Sequence, residues 1–186
     1  RKFIKKTSLA STAILTSFGA LNASNTLTAK SYRKIIGAND RINVGVVGFS
    51  GRFKGSLSKA FNNHSKSQNA EIVGVSDIWN RRREEGKAFL EKQTGNKISV
   101  WRNNEEMYET NEIDAVIIST ADFQHALHTV EAAEAKKDVY VEKPFAETME
   151  DARIGKKAVD ESGIVFQIGS QRRSGINYHA ANKFIK

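Results

Sequence analysis

Residues 42–55 read Ile-Asn-Val-Gly-Val-Val-Gly-Phe-Ser-Gly-Arg-Phe-Lys-Gly. An apolar strand runs directly into a glycine-rich turn, and a segment able to form a helix follows. Gly48 permits a tight turn, and Gly51 lets the helix begin close to whatever the turn holds. The first N–H groups of such a helix lack intrahelical partners and carry partial positive charge, which suits a phosphate. The expectation is a cradle for the pyrophosphate of a dinucleotide, built from Gly48, Phe49, Ser50, Gly51 and Arg52. Ser50 stands where a second glycine is usual. Its hydroxyl could serve a phosphate, or its Cβ could crowd the approach. Arg52 either reaches the pyrophosphate or lies in solvent.

The rest of the body alternates strand and helix. Expected strands cover residues 42–47, 71–76, 98–101, 113–119, 138–141 and 165–168. Expected helices cover 52–64, 81–92, 103–110, 123–136 and 148–161, with apolar stripes such as Leu57, Ala60 and Phe61, or Ala126, Leu127, Val130 and Ala133. Ala88 and Phe89 are expected to face inward from the second helix. Residues 113–119 are almost wholly apolar after Asp114, as befits a central parallel strand covered on both faces. This alternation predicts an α/β fold, a Rossmann-type doubly wound parallel sheet with right-handed crossovers.

Ligands bind such sheets at the carboxyl ends of the strands. Four segments reach that edge. Asp77 closes the second strand, 29 residues after Gly48 against the usual ~20, and can accept both ribose hydroxyls of an adenosine or simply cap the next helix. Arg81, with Arg82 and Arg83, could neutralise a 2′-phosphate or face water, so NAD and NADP both stay open. Ser119, Thr120 and Ala121 form the turn after the fourth strand, and His125 is placed to hydrogen-bond across the crevice. His125 and His128 are three apart with no glutamate between them, which argues against a metal site.

Glu142-Lys143-Pro144 follows the fifth strand. Lys143 could hold a substrate hydroxyl or move its proton, as a partly desolvated lysine near other cations would. Pro144 biases Lys143 toward an extended conformation, and an ion pair between Glu142 and Lys143 is the plain alternative. Gly169-Ser170 is a turn that could return Gln171 and Arg172 to the substrate side of the crevice.

The chain has no cysteine, which excludes disulfides and thiolate chemistry. Its formal charge is +8, of which four fall in residues 1–23 with no acid. Elsewhere both signs mix along the helices, unlike the patch of a nucleic-acid binder. Residues 1–23 read as an export signal: a basic start, a mild apolar stretch from Leu9 to Ala20, and Leu21-Asn22-Ala23 as a weak cleavage site. The apolar run is too short for stable membrane insertion. Residues 24–40 are expected to be a linker, 41–173 the nucleotide-binding domain, and 174–186 the start of a helix leading toward a further domain.

The stretch 42–173 resembles the Gfo/Idh/MocA oxidoreductases, whose hallmark glutamate-lysine-proline triplet is matched by Glu142-Lys143-Pro144. The resemblance implies an NAD- or NADP-binding half that works with a C-terminal α/β substrate domain missing from this sequence. It implies hydride transfer to or from a hydroxyl-bearing carbon of a sugar or polyol, with Lys143 as the catalytic residue. Cofactor roles are implied for Gly48, Gly51, Asp77, Thr120, His125 and Glu142, and a homo-oligomer for the full-length protein. Gly169-Ser170-Gln171-Arg172-Arg173 and the leader, similar to a twin-arginine signal, resemble secreted bacterial members, so a periplasmic or cell-envelope location is implied. Two alternatives accompany this: an NAD-dependent glycoside hydrolase of the same family, and a non-catalytic secreted protein that keeps the nucleotide fold.

Overall fold

The computed structural model describes residues 41–185. The expected leader and linker lie outside them. Six parallel strands form one sheet in the order β3-β2-β1-β4-β5-β6: β1 Ile42–Val47, β2 Ala70–Ser76, β3 Ser99–Trp101, β4 Ala115–Ile118, β5 Asp138–Glu142 and β6 Phe166–Gly169. The order reverses between β1 and β4, so their carboxyl ends flank the crevice where such folds bind ligands.

Helices cover both faces. On one, α1 (residues 51–65) and α2 (Asn80–Thr94) bury Phe53, Leu57 and Leu90 against Val44, Val46, Ile72 and Val75. On the other, α3 (Asn104–Glu109), α4 (His125–Glu134) and α5 (Met149–Ser162) cover Val47, Val116, Ile118, Val139 and Val141. Every inward residue of β1 and β4 is therefore apolar, as a doubly covered parallel strand requires. Two helices end in left-handed glycines, Gly95 (φ 74°) and Gly163 (φ 72°). A last helix, α6 (Ile176–Ile185), follows a 3-10 turn at Gln171–Ser174 and has no buried residue. No helix among the described residues is long and apolar enough to cross a membrane.

Three expected stripes shift. α1 contains a π-helical turn, Phe53–Leu57, in which the Ser58 N–H bonds the Phe53 carbonyl five residues back. The widened turn brings Phe53, Leu57 and Ser58 inward and leaves Ala60 exposed. The Ser56 and Ser58 hydroxyls donate to the Arg52 and Lys54 carbonyls at 3.1 and 3.2 Å, satisfying acceptors in the widened region. In α2 Gly86 and Leu90 are buried and Phe89 packs half-buried against the core as expected, whereas Ala88 points to solvent. α4 begins only at His125, after a 3-10 turn at Asp122–Gln124; Leu127 points outward, while Ala126 and Ala133 are buried as expected and Thr129 and Ala132 join them.

Phe53 is fully buried, with its ring centroid 5.8 Å from that of Phe49. Phe53→Ala is expected to cost about 3–5 kcal/mol of folding stability, read as a lower urea midpoint.

Candidate cofactor-binding site

The turn after β1 is held by its own polar groups. Gly48 has φ +82°, and a Cβ there would lie 2.6 Å from the Thr120 methyl and 3.0 Å from its Cα. Both backbone and neighbour thus demand glycine. The Ser50 hydroxyl donates to Ser119 Oγ at 3.2 Å, and Ser119 Oγ donates to the Gly48 carbonyl at 2.8 Å. Ser50 Oγ also accepts the Phe53 N–H at 3.1 Å, the geometry of a helix N-cap. The serine is therefore a structural cap whose proton is already committed. The Phe49 amide is likewise committed, donating to Asp77 Oδ2 at 3.0 Å, while its ring turns inward against Phe53 and Phe89. Gly51 differs: nothing lies within 4 Å of a Cβ built on it. The Gly51 and Arg52 amides, in the first turn of α1, have no partner among the described residues.

Asp77 stands at the end of β2. Its Oδ1 accepts the Trp79 N–H at 2.9 Å, so each carboxylate oxygen holds one amide and keeps a further lone pair. The alternative role for Asp77, as cap of the next helix, falls to Trp79. Arg83 donates to the Asp77 carbonyl at 2.6 Å and to Asn80 Oδ1 at 3.0 Å. Arg82 pairs with Glu85 at 2.8 Å. The Arg81 and Arg82 guanidinium groups lie 5.7 and 5.9 Å from the Trp79 ring centroid. Arg82, rather than the expected Arg81, lines the crevice.

That crevice is a cleft of about 660 Å³ over the carboxyl ends of β1, β2 and β4. Gly48, Phe49, Ser50 and Asp77 line one side, and Ser119, Thr120 and Ala121 face them. Its far wall was not legible in the sequence. Ser76 donates to Asn104 Oδ1 at 2.8 Å, and Asn104 Nδ2 donates to Glu131 Oε2 at 2.8 Å. His128 Nδ1 lies 2.9 Å from both Asn104 Nδ2 and Glu131 Oε2. Burial pushes the Glu131 carboxyl up, but the hydrogen bonds from His128 and Asn104 outweigh it and hold the group below its ordinary value. Burial, with the Glu131 charge adding, pushes the nearby Tyr108 phenol well above its ordinary value.

A smaller pocket of about 170 Å³ adjoins the cleft across Ser119 and Thr120. Arg52, His125, Glu142 and Lys143 line it. Glu142 is buried, and its partner is not Lys143. Arg52 Nε lies 3.2 Å from Glu142 Oε1, and Gln171 Nε2 donates to the same oxygen at 2.6 Å and to the Tyr140 hydroxyl at 2.7 Å. Burial raises the Tyr140 phenol above its ordinary value. The Lys143 side chain is exposed rather than partly desolvated, and it has no ion pair among the described residues. The Lys143–Pro144 peptide bond is cis. His125 does not reach freely across the crevice. It is buried, with Nδ1 2.6 Å from the Pro144 carbonyl and Nε2 3.2 Å from the Thr120 carbonyl, so it ties the start of α4 to the segment after β5. Arg172 lines neither pocket and is exposed. No group of three or more His, Cys, Asp or Glu able to hold a metal occurs among the described residues.

These residues fit a dinucleotide. The first turn of α1 offers two unpartnered amides beside the open space at Gly51, and Asp77 offers acceptors to a ribose. The buried Thr120 Oγ1, on the wall common to both pockets, has no partner of its own.

Gly51→Ala is expected to leave folding stability unchanged or raise it by about 0.5–1 kcal/mol, while weakening nucleotide binding, as shown by parallel unfolding and titration. Glu131 supplies a pH test. Its folded-state value is depressed, so its stabilising contribution is complete above the ordinary 4.5 and is lost as pH falls through the lowered value. Thermal melts on the acid side should therefore fall less steeply for Glu131→Gln.

Residues 42–170 match the Gfo/Idh/MocA family, an oxidoreductase family with an NAD-binding Rossmann fold. The chain is 32% identical over 119 residues to scyllo-inositol 2-dehydrogenase (NAD(+)) of Bacillus subtilis strain 168, covering 62% of this chain and 32% of that protein. It is 34% identical over 147 residues to 2,7-anhydro-N-acetylneuraminate hydratase of Escherichia coli K12, covering 78% and 36%. Among solved structures, the WlbA dehydrogenase of Bordetella pertussis in complex with NADH and UDP-GlcNAcA matches with a TM-score of 0.68 and 27% identity, over 78% of this chain and 41% of that one. The chain thus spans about a third of the length of these curated relatives. With its strand order, glycine turn and Glu142-Lys143-Pro144 segment in place, the chain belongs to the Gfo/Idh/MocA family of NAD-binding oxidoreductases.

Proposed function

We propose that the full-length protein transfers a hydride between a nicotinamide cofactor and a hydroxyl-bearing carbon of a sugar or polyol. The observation that carries this reading is the convergence of the two pockets: the cleft over the glycine turn and the pocket of Lys143 share Ser119 and Thr120. When bound, the nicotinamide supplies the hydride acceptor or donor. Gly48, Gly51 and Arg52 would hold the pyrophosphate, and Asp77 the adenosine ribose. Lys143 is the catalytic residue of this reading. Its ammonium would hold the substrate oxygen, and its amine form would accept the hydroxyl proton as the C–H hydride leaves. Gln171 acts on the substrate side only through Glu142, and no contact supports Arg172 there.

NAD is favoured over NADP. The Asp77 carboxylate would repel a 2′-phosphate, and the arginines after it are engaged at the start of α2 with Trp79, Glu85, Asn80 and the Asp77 carbonyl. The inositol and sugar-nucleotide names of the relatives support the substrate class, whereas the glycosidase and non-catalytic readings gain no support from them. The basic, acid-free residues 1–23 support export to the cell envelope, which fractionation of the producing cells would test.

Full-length protein given NAD+ and a panel of inositols and sugars is expected to produce NADH. Lys143→Met should lower kcat by about 10²–10⁴-fold with NADH affinity retained, and Asp77→Ser should shift preference toward NADP+. Absence of saturable NADH binding would overturn the reading.

A further inference from the structure

Glu142 is 3% exposed. A carboxylate so buried keeps its charge only beside a cation or several donors. The adjacent Lys143 could be that cation, yet its side chain lies exposed without an ion pair among the described residues. Arg52 takes the place instead, reaching across from the first turn of α1 to the end of β5 with Nε 3.2 Å from Glu142 Oε1. Gln171 adds the second donor, at 2.6 Å, from beyond β6. The other ionisable groups around the pocket are Asp122 and His125. Both His125 ring nitrogens face main-chain carbonyls, and Asp122 pairs with no cation among the described residues.

We propose that Arg52 is a positioning residue that occupies Glu142 and thereby leaves the Lys143 amine free to meet a substrate hydroxyl. What Lys143 meets rests on the oxidoreductase reading above; the division of charges does not. A carboxylate within reach of a lysine stabilises its ammonium form and so leaves less of the neutral amine at neutral pH. Arg52 removes most of that field by neutralising Glu142. Arginine suits the task, because its guanidinium holds its charge at every relevant pH and has four N–H groups left after Nε is used. Those groups sit beside the phosphate-binding turn, so one side chain joins the cofactor end of the site to the end that carries Lys143.

The test follows Lys143 directly. Full-length protein is labelled with acetic anhydride across a pH series, and acetylation of Lys143 is measured by mass spectrometry, since only the neutral amine reacts. Arg52→Met is expected to slow Lys143 labelling at neutral pH, about tenfold for each unit by which its titration moves up. Adding Glu142→Gln should restore the wild-type rate, and Arg52→Lys should label as wild type. An unchanged rate in Arg52→Met, or slowing that Glu142→Gln does not reverse, would overturn the proposal. A shift produced by Asp122→Asn in place of Arg52→Met would do the same. Should Arg52→Met fail to fold by circular dichroism, Arg52→Gln keeps an N–H donor without the charge and carries the same expectation. Labelling requires no turnover, so a protein that obeys this pattern but reduces no NAD+ would overturn the oxidoreductase reading alone.

Discussion

The hydroxyl chain from Ser50 through Ser119 to the Gly48 carbonyl joins the two strands on which the site depends. β1 and β4 are neighbours whose following loops leave in opposite directions, and that divergence creates the crevice. Left alone, the loops could drift apart. Ser119 is buried, so its hydroxyl must find partners, and both lie on the β1 turn. The same contact presses Thr120 against Gly48 so closely that no side chain fits between them. Asp77 performs a matching task on the other flank, gripping the Phe49 amide from the end of β2. The turn is thus fixed from both sides, while the Gly51 and Arg52 amides stay available.

The π-helical turn in α1 belongs to the same design. A third glycine is usual in this motif because it lets the helix pack closely on the strand. Here Phe53 fills that space, its fully buried ring packed at a tilt against Phe49. Widening the helix over Phe53–Leu57 accommodates the bulk without displacing the first turn, and a few serine hydroxyls satisfy the loosened carbonyls. The glycine turn and its aromatic support are therefore a matched pair. Neither Phe49 nor Phe53 blocks the helix mouth with its ring.

The order of elements was legible because its signals are local: apolar runs for buried strands, periodic stripes for helices, glycines at their ends. Phase errors arose where the backbone departed from ideal geometry. The π turn misplaced Ala60, and the 3-10 turn before α4 misplaced Leu127. At the site, the segments at the carboxyl edge were legible because topology alone carries them there. Which atoms they engage was not. Ser50 reads as a phosphate donor until its helix cap is seen, and one helical step decides that Arg82 rather than Arg81 lines the cleft. Asn104 carried no local signal at all, because its partners Ser76, His128 and Glu131 lie at least 24 positions away in the chain.

That last network has a consequence for how such a protein changes over time. Ser76, Asn104, His128 and Glu131 lock together β2, α3 and α4 beneath one end of the cleft, whereas Lys143 stands exposed at the adjoining smaller pocket. The half that would grip the nucleotide is interlocked and resists piecemeal alteration. The half that would meet a reactant is open to whatever surface is set against it. A lineage can therefore acquire new chemistry by remodelling what faces the lysine, inheriting its nucleotide grip intact.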